Sequence, residues 1–220
     1  MIKLPDYNKA WEYENNFFLT SAPQRLSKII AHYELFKMAV ELPGSIVECG
    51  VFKGCSLIRF AMMRHMFGGD FTKKIIGFDI FGRFPATSFA EDIKVRQNFV
   101  NEAGEEGISR DQLTEILKLN ALDKNVDLVE GDITKTVPVY VDAHPALKIA
   151  LLNLDTDIYE PAVTIMKHLY PRIVKGGILI LDDYGVFPGE TKAVDDYFRD
   201  QNVVIRKFPY AMSPSYIVKD

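Results

Sequence analysis

Cysteine is scarce. The 220 residues include only two, Cys49 and Cys55. Two thiols cannot build a disulfide framework, and their spacing matches neither CxxC nor a zinc ligand set. Both are expected to be reduced and buried. Long apolar runs are missing too, since no stretch approaches the ~20 residues that span a bilayer. The opening segment, MIKLPDYNKAWEYENN, is polar and has no signal-peptide apolar region. No membrane partner is expected, and the location is expected to be cytoplasmic. Positive charge is not in excess either. Lys and Arg number 26 against 30 Asp and Glu, a formal charge of −4 with a pI near 5.6. Basic pairs such as Lys73–Lys74 and Arg206–Lys207 are short and isolated. No nucleic-acid partner is expected from such a balance.

What is present suits a packed core. Hydrophobic residues make up 48%, with 15 Phe and 10 Tyr. That apolar area offsets ordering entropy and argues against disorder. Residues 1–20 are aromatic-rich but irregular, and read as an arm over a site or against a partner subunit. Arg25–Val40 places apolar residues at helical spacing until Pro43–Gly44 stops it. Residues 1–44 are therefore set apart as an arm and helix.

From residue 45 to 220 the pattern changes. Short apolar runs recur, each ending in a polar or acidic residue: Ser45–Gly50, Ile75–Asp79, Val126–Asp132, Ile149–Asp155 and Ile178–Asp183. Continuous Val/Ile/Leu runs are the composition of parallel strands covered on both faces. Helical patterns follow the first, fourth and fifth, over Ser56–Phe67, Pro161–Tyr170 and Thr191–Arg199. Alternating strands and helices predict an α/β, doubly wound, mostly parallel sheet. Val203–Phe208 and Ser215–Lys219 predict an antiparallel C-terminal hairpin. The 46 residues between Asp79 and Val126 exceed one helix. A lid or insertion is expected over about 84–125.

The first strand ends in Glu48-Cys49-Gly50-Val51-Phe52-Lys53-Gly54-Cys55-Ser56. Glycines at a strand-to-helix turn let a ligand approach the backbone. Both GxGxxG and GxxxxGK[ST] are absent, so a phosphate cradle is not indicated. A ligand without phosphates, such as S-adenosylmethionine, fits this looser loop, although a packing turn would use the same glycines. Asp79 ends the next strand, where a carboxylate can accept hydrogen bonds from ribose hydroxyls. Asp132 offers a further acidic group near an adenine, or else a helix cap.

Strand four ends in Asp155-Thr156-Asp157 and strand five in Asp182-Asp183. Neighbouring parallel strands bring such ends to one edge, so four aspartates would meet. Like charges that close repel and raise one another's pKa unless a cation neutralises them. Oxygen-only ligands favour Mg²⁺, with Mn²⁺ or Ca²⁺ also allowed. A cation beside a methyl donor would acidify an acceptor hydroxyl, and a nearby carboxylate would take its proton. Helix capping remains the alternative for each aspartate taken singly.

Together, SIVECGVFKGCS, GFDIFGRFP, LLNLDTDIYEP and GGILILDDYG resemble the macrocin O-methyltransferase (TylF-like) family, from about Ser45 to Phe198. The resemblance implies a Rossmann-like class I methyltransferase fold with a seven-stranded sheet. It implies S-adenosylmethionine as donor, a required Mg²⁺ and a small hydroxylated acceptor, usually a sugar. By motif, Asp155, Asp182 and Asp183 would hold the metal, and Asp157 would be the general base. Glu48 and Gly50 would line the methionine end, with Gly54 in the same loop. Ser56 would contact the donor carboxylate, Asp79 the ribose, and Asp132 the adenine side. A homo-oligomer is compatible with the family. The sequence departs from the family pattern in its short N-terminus, in a long Glu102–Asn125 stretch and at Lys53. Three other readings stay open: a metal-independent methyltransferase of this fold, an NAD(P)-linked oxidoreductase, and a non-catalytic nucleoside-binding module.

Overall fold

The apolar runs become the strands of one sheet. In the computed structural model, which describes residues 2–220, these are β1 (Ser45–Cys49), β2 (Ile75–Asp79), β3 (Val126–Glu130), β4 (Ile149–Leu154) and β5 (Ile173–Leu181). All five are parallel. The two-residue β6 (Arg206–Lys207) and β7 (Ser215–Val218) complete the sheet, with β7 antiparallel to β5 and β6 antiparallel to β7. The order is β3-β2-β1-β4-β5-β7-β6. The chain moves outward from β1 to β3, then crosses back to β4 on the other side. Ligands of such sheets bind outside the carboxyl ends at this switch point.

Register aligns those ends. Cys49 lies opposite Phe78 and Leu154, and Leu154 lies opposite Leu181. The next residues, Gly50, Asp155 and Asp182, therefore leave the sheet along one edge, beside Asp79, the last residue of β2.

Helices cover both faces. They are α1 (Ala10–Thr20), α2 (Pro23–Ala39), α3 (Cys55–Phe67), α4 (Ala90–Ala103), α5 (Arg110–Leu119), α6 (Ile133–Ala143), α7 (Tyr159–His168) and α8 (Pro188–Phe198). Alternate strand residues feed separate cores, because successive side chains point to opposite faces. Ile46, Leu151 and Ile180 pack with Leu35, Phe60 and Leu113 of α2, α3 and α5. Val47, Leu152 and Leu179 pack with Val137, Ile165 and Val194 of α6, α7 and α8.

Several expectations are corrected. Residues 10–20 form a helix, α1, although none of its side chains is buried. The stretch between β2 and β3 holds two helices, α4 and α5. α6 was not signalled, because Pro138 lies inside it. β5 starts five residues before Ile178, carrying Gly176 and Gly177. α7 starts at Tyr159, which makes Pro161 its third residue. Cys49 is buried, but Cys55 opens α3 and is exposed. No helix of the described residues is long and apolar enough to cross a membrane.

Candidate active site

The aligned strand ends form the floor of a cavity of about 1480 Å³. Gly50–Lys53 and Ser56 make one wall, with Asp79 and Asp132–Thr134 beside them. Phe17, Arg25 and Lys28 approach from α1 and α2, and Phe84–Ser88 with Phe99 from the stretch after β2. Asp155, Asp157, Asp182 and Asp183 all line it. The structure thus joins the glycine loop and the acidic strand ends in one space.

The loop is built around Asp79. Its Oδ2 accepts the N–H groups of Val51 (2.7 Å) and Phe52 (3.0 Å), and its Oδ1 accepts that of Phe81 (2.6 Å). Phe52 and Phe81 hold left-handed φ values of 48° and 53°, which the same carboxylate stabilises. A carboxylate offers about four acceptor sites, so one remains for a ligand hydroxyl. Burial raises the Asp79 pKa against the pull of those N–H donors.

Gly50 has a structural requirement stronger than ligand access. Its φ is +90°, and a Cβ there would lie 1.7 Å from the Asp155 carbonyl oxygen. Gly54 lies behind the cavity lining. It precedes α3 at φ +83°, and a Cβ would meet Leu113 at 3.1 Å. Glu48 lies behind the wall rather than on it. Its Oε1 accepts the Ser56 hydroxyl, while its Oε2 is buried without a partner. Burial pushes its carboxyl up to about 8. Asp132 caps α6, accepting from the Thr134 N–H (3.0 Å) and hydroxyl (2.7 Å), and still borders the cavity.

The aspartates divide into two groups. Asp155, Asp157 and Asp183 each place an oxygen within 4.8 Å of the others. Asp157 and Asp183 share a side-chain hydrogen bond. Two ionised carboxylates only accept, so this proximity favours a proton on one of the pair. Burial, and then the charges of their neighbours, push Asp155 and Asp183 well above the usual carboxylate range. Burial lifts Asp157 to about 8, against the hydrogen bond from Asp183.

Asp182 stands apart. Its Oδ2 accepts from the Lys28 ammonium. Burial alone would raise its pKa, but Lys28 and His32 together outweigh burial and hold it at about 2. Its Oδ1 faces His32 Nε2 at 3.6 Å, too long for a hydrogen bond. Arg59 donates to His32 Nδ1 at 2.9 Å. Arginine cannot accept, so the imidazole hydrogen sits on Nε2, toward Asp182. Burial lowers the His32 pKa and keeps the ring neutral. Glu190, fully buried, accepts the Asp183 N–H at 3.0 Å and leaves Oε2 unpartnered.

Lys28, His32 and Glu190 were not singled out by sequence. Lys28 and His32 lie one turn apart on α2, yet their partner is 154 residues further along the chain for Lys28. Glu190 in the first turn of α8 resembles an ordinary dipole-complementing residue.

The donor set fits a hard divalent cation. It is oxygen-only, with Asp155, Asp157 and Asp183 oxygens within 4.8 Å of one another, and Asp182 lies outside that group with its Oδ1 buried and unpartnered.

Known proteins share this arrangement of elements. The macrocin-O-methyltransferase (TylF) family matches residues 22–207. Demethyldecarbamoylnovobiocin O-methyltransferase of Streptomyces niveus is 31% identical over 165 residues, which is 71% of this chain and 58% of that protein. The 8-demethyl-8-(2,3-dimethoxy-alpha-L-rhamnosyl)-tetracenomycin-C 4'-O-methyltransferase of Streptomyces olivaceus is 31% identical over 166 residues, 73% of this chain and 60% of that protein. The chain spans about six-tenths of the length of these curated relatives. The crystal structure of CalS11, a calicheamicin methyltransferase, superposes with a TM-score of 0.76 at 26% identity, covering 97% of this chain and 86% of that one. The sheet is thus that of class I methyltransferases. The family match runs from before β1 to β6 and takes in every acidic strand end, so the chain belongs to the macrocin O-methyltransferase (TylF) family.

Proposed function

We propose that the protein is an S-adenosylmethionine-dependent, metal-assisted O-methyltransferase acting on a hydroxyl of a small molecule, a sugar moiety of a natural product or a sugar precursor. The observation that carries this is the convergence of Asp155, Asp157 and Asp183 beside the glycine loop in a single cavity. The names of the relatives support the reaction, and the rhamnosyl group in one of them supports the acceptor class.

Each residue has a role in this reading. Ser56, backed by Glu48, and the Gly50 turn bound the methionine end of the donor. Asp79 has one acceptor site left for ribose, and Asp132 borders the adenine side. Asp155, Asp182 and Asp183 hold the cation. Asp157, adjacent to Asp155 and Asp183, takes the proton of the acceptor hydroxyl as general base once a cation beside it favours its ionised form. Phe84 and Phe99, 5.4 Å apart, give the acceptor side an apolar wall that excludes water. When bound, the donor supplies an electrophilic methyl group, and the cation lowers the pKa of the hydroxyl.

A second reading, methyl transfer without metal, has one observation in its favour: Lys28 already brings a positive charge to Asp182. Calorimetry of S-adenosylhomocysteine and Mg²⁺ on wild type and Asp182→Ala separates the two. Product binding in both proteins, with Mg²⁺ binding in wild type only, is the expected result. Product binding with no Mg²⁺ binding would favour the second reading. No product binding at all would overturn the methyltransferase reading and restore the oxidoreductase and binding-module alternatives.

A further inference from the structure

Six buried or half-buried carboxyl groups crowd this edge: Glu48, Asp155, Asp157, Asp182, Asp183 and Glu190. Among the described residues, one ammonium or guanidinium lies within ion-pair distance of any of the four aspartates, and it belongs to Lys28. Its partner Asp182 is nearly inaccessible, with 3% of its side chain exposed against 25% for Lys28.

Lys28 is well placed to stay or to leave. The buried part of α2 begins at Ala31 and continues through His32, Leu35, Phe36 and Ala39. These residues fix the Cα of Lys28 one turn away. The four-carbon stem remains free to rotate, because Lys28 also lines the open cavity. The ammonium can leave Asp182 without undocking the helix. His32 stays buried behind Asp182, with Arg59 on its far nitrogen and Nε2 3.6 Å from Asp182 Oδ1.

We propose that Lys28 is the resident counter-ion of the acidic site and that it exchanges with the divalent cation for Asp182. This rests on the metal-assisted reading above. Without metal, Lys28 neutralises Asp182 and keeps the crowded carboxylates from driving the strand ends apart. With metal on the unpartnered Oδ1 of Asp182, like-charge repulsion across the one carboxylate weakens the hold of Oδ2 on the ammonium, which swings into the cavity. Lys28 is thus a positioning residue that acts through Asp182, and it sets metal affinity by competing for a ligand.

The test uses the full chain with S-adenosylhomocysteine present. Mg²⁺ affinity is measured by calorimetry for wild type, Lys28→Met and Lys28→Arg. Removing a competing charge a few ångströms away should tighten Mg²⁺ binding about tenfold in Lys28→Met. Lys28→Arg should stay near wild type, since it keeps the charge. A merely structural lysine predicts equal or weaker Mg²⁺ binding in Lys28→Met, and that result would overturn the exchange. A second measurement needs no variant. Amine labelling of wild type, read by mass spectrometry, should modify Lys28 severalfold faster with Mg²⁺ than without. An unchanged or slower rate would overturn the proposal even if Lys28→Met fails to fold. The two readings fail separately. Loss of S-adenosylhomocysteine binding by wild type removes the methyltransferase reading. Product binding with no Mg²⁺ binding in wild type and Lys28→Met removes the metal-assisted reading and the exchange together, whereas Mg²⁺ binding that is not tightened in Lys28→Met removes the exchange alone.

Discussion

Asp157 adopts φ +62°, a left-handed conformation that costs a non-glycine residue ~1–2 kcal/mol. The Ile158 N–H returns to the Thr156 carbonyl at 2.6 Å and tightens this turn. The turn aims the carboxyl at Asp183 rather than into the first turn of α7, where a capping aspartate would point. Strain of this kind is retained where the surrounding structure requires it, often at a functional site. Asp157→Asn should fold, because asparagine tolerates the left-handed region, but it cannot accept a proton. Steady-state kinetics with an active acceptor should show kcat lowered by ~10²–10⁴-fold, the usual worth of a general base. Calorimetry should show S-adenosylhomocysteine affinity unchanged. A kcat within tenfold of wild type would remove Asp157 as the base. The acidic strings were legible in sequence because each is a local pattern at a strand end. Lys28 and His32 were not, because nothing local marks a helix residue whose partner arrives from β5.

At the scale of elements, the buried Asp92 of α4 ties together the parts that carry the site. Its carboxylate accepts the N–H of Tyr159 at 3.0 Å and that of Gly189 at 2.7 Å. Those are first-turn donors of α7 and α8, the helices that follow the two aspartate pairs. Asp92→Ala would leave both donors buried and unpaired. Each such loss costs ~1–3 kcal/mol, so the two together lower the unfolding free energy by ~2–6 kcal/mol, a fall of ~1–3 M in the urea midpoint at an m of ~2 kcal/mol/M. An unchanged midpoint would mean that α7 and α8 hold their starts without α4. This tie also shows where sequence reading of elements ends. β2 was legible to the residue, because its apolar run ends in Asp79. The start of β5 was hidden, since Gly176 and Gly177 interrupt the run and look like a loop. α6 was hidden by Pro138 and its β-branched neighbours, which favour strand composition. α1 was hidden for another reason: it buries no face, so it leaves no apolar periodicity to find.

For the whole molecule, the formal charge of −4 is less informative than its concentration at one sheet edge. Glu48 and Asp157, both raised to about 8, bind protons more tightly in the folded chain than at their ordinary values of 4.5 and 3.8. Asp155, Asp183 and Glu190 shift the same way. Such groups contribute stability that is fully present below the ordinary carboxylate pKa and is lost as pH rises through the folded value. Asp182 works in the opposite sense, but its window lies below about 4. His32 also opposes, with its pKa lowered by burial, and its contribution is complete above its ordinary 6.5. Between about pH 6.5 and 8 the raised carboxyls therefore decide, and metal-free protein should melt at steadily lower temperature across that range. Glu48→Gln removes one titrating group while keeping an acceptor for the Ser56 hydroxyl, so its melting temperature should fall less steeply. Added Mg²⁺ should raise the wild-type melting temperature more at pH 8, where the carboxylates are ionised and available as ligands, than at pH 6.5. Melting curves in chelator and in Mg²⁺ at fixed ionic strength check all three. A metal-free melting temperature that climbs from pH 6.5 to 8 would mean that these carboxyls ionise freely in the fold, and that the acidic edge needs no cation to hold it together.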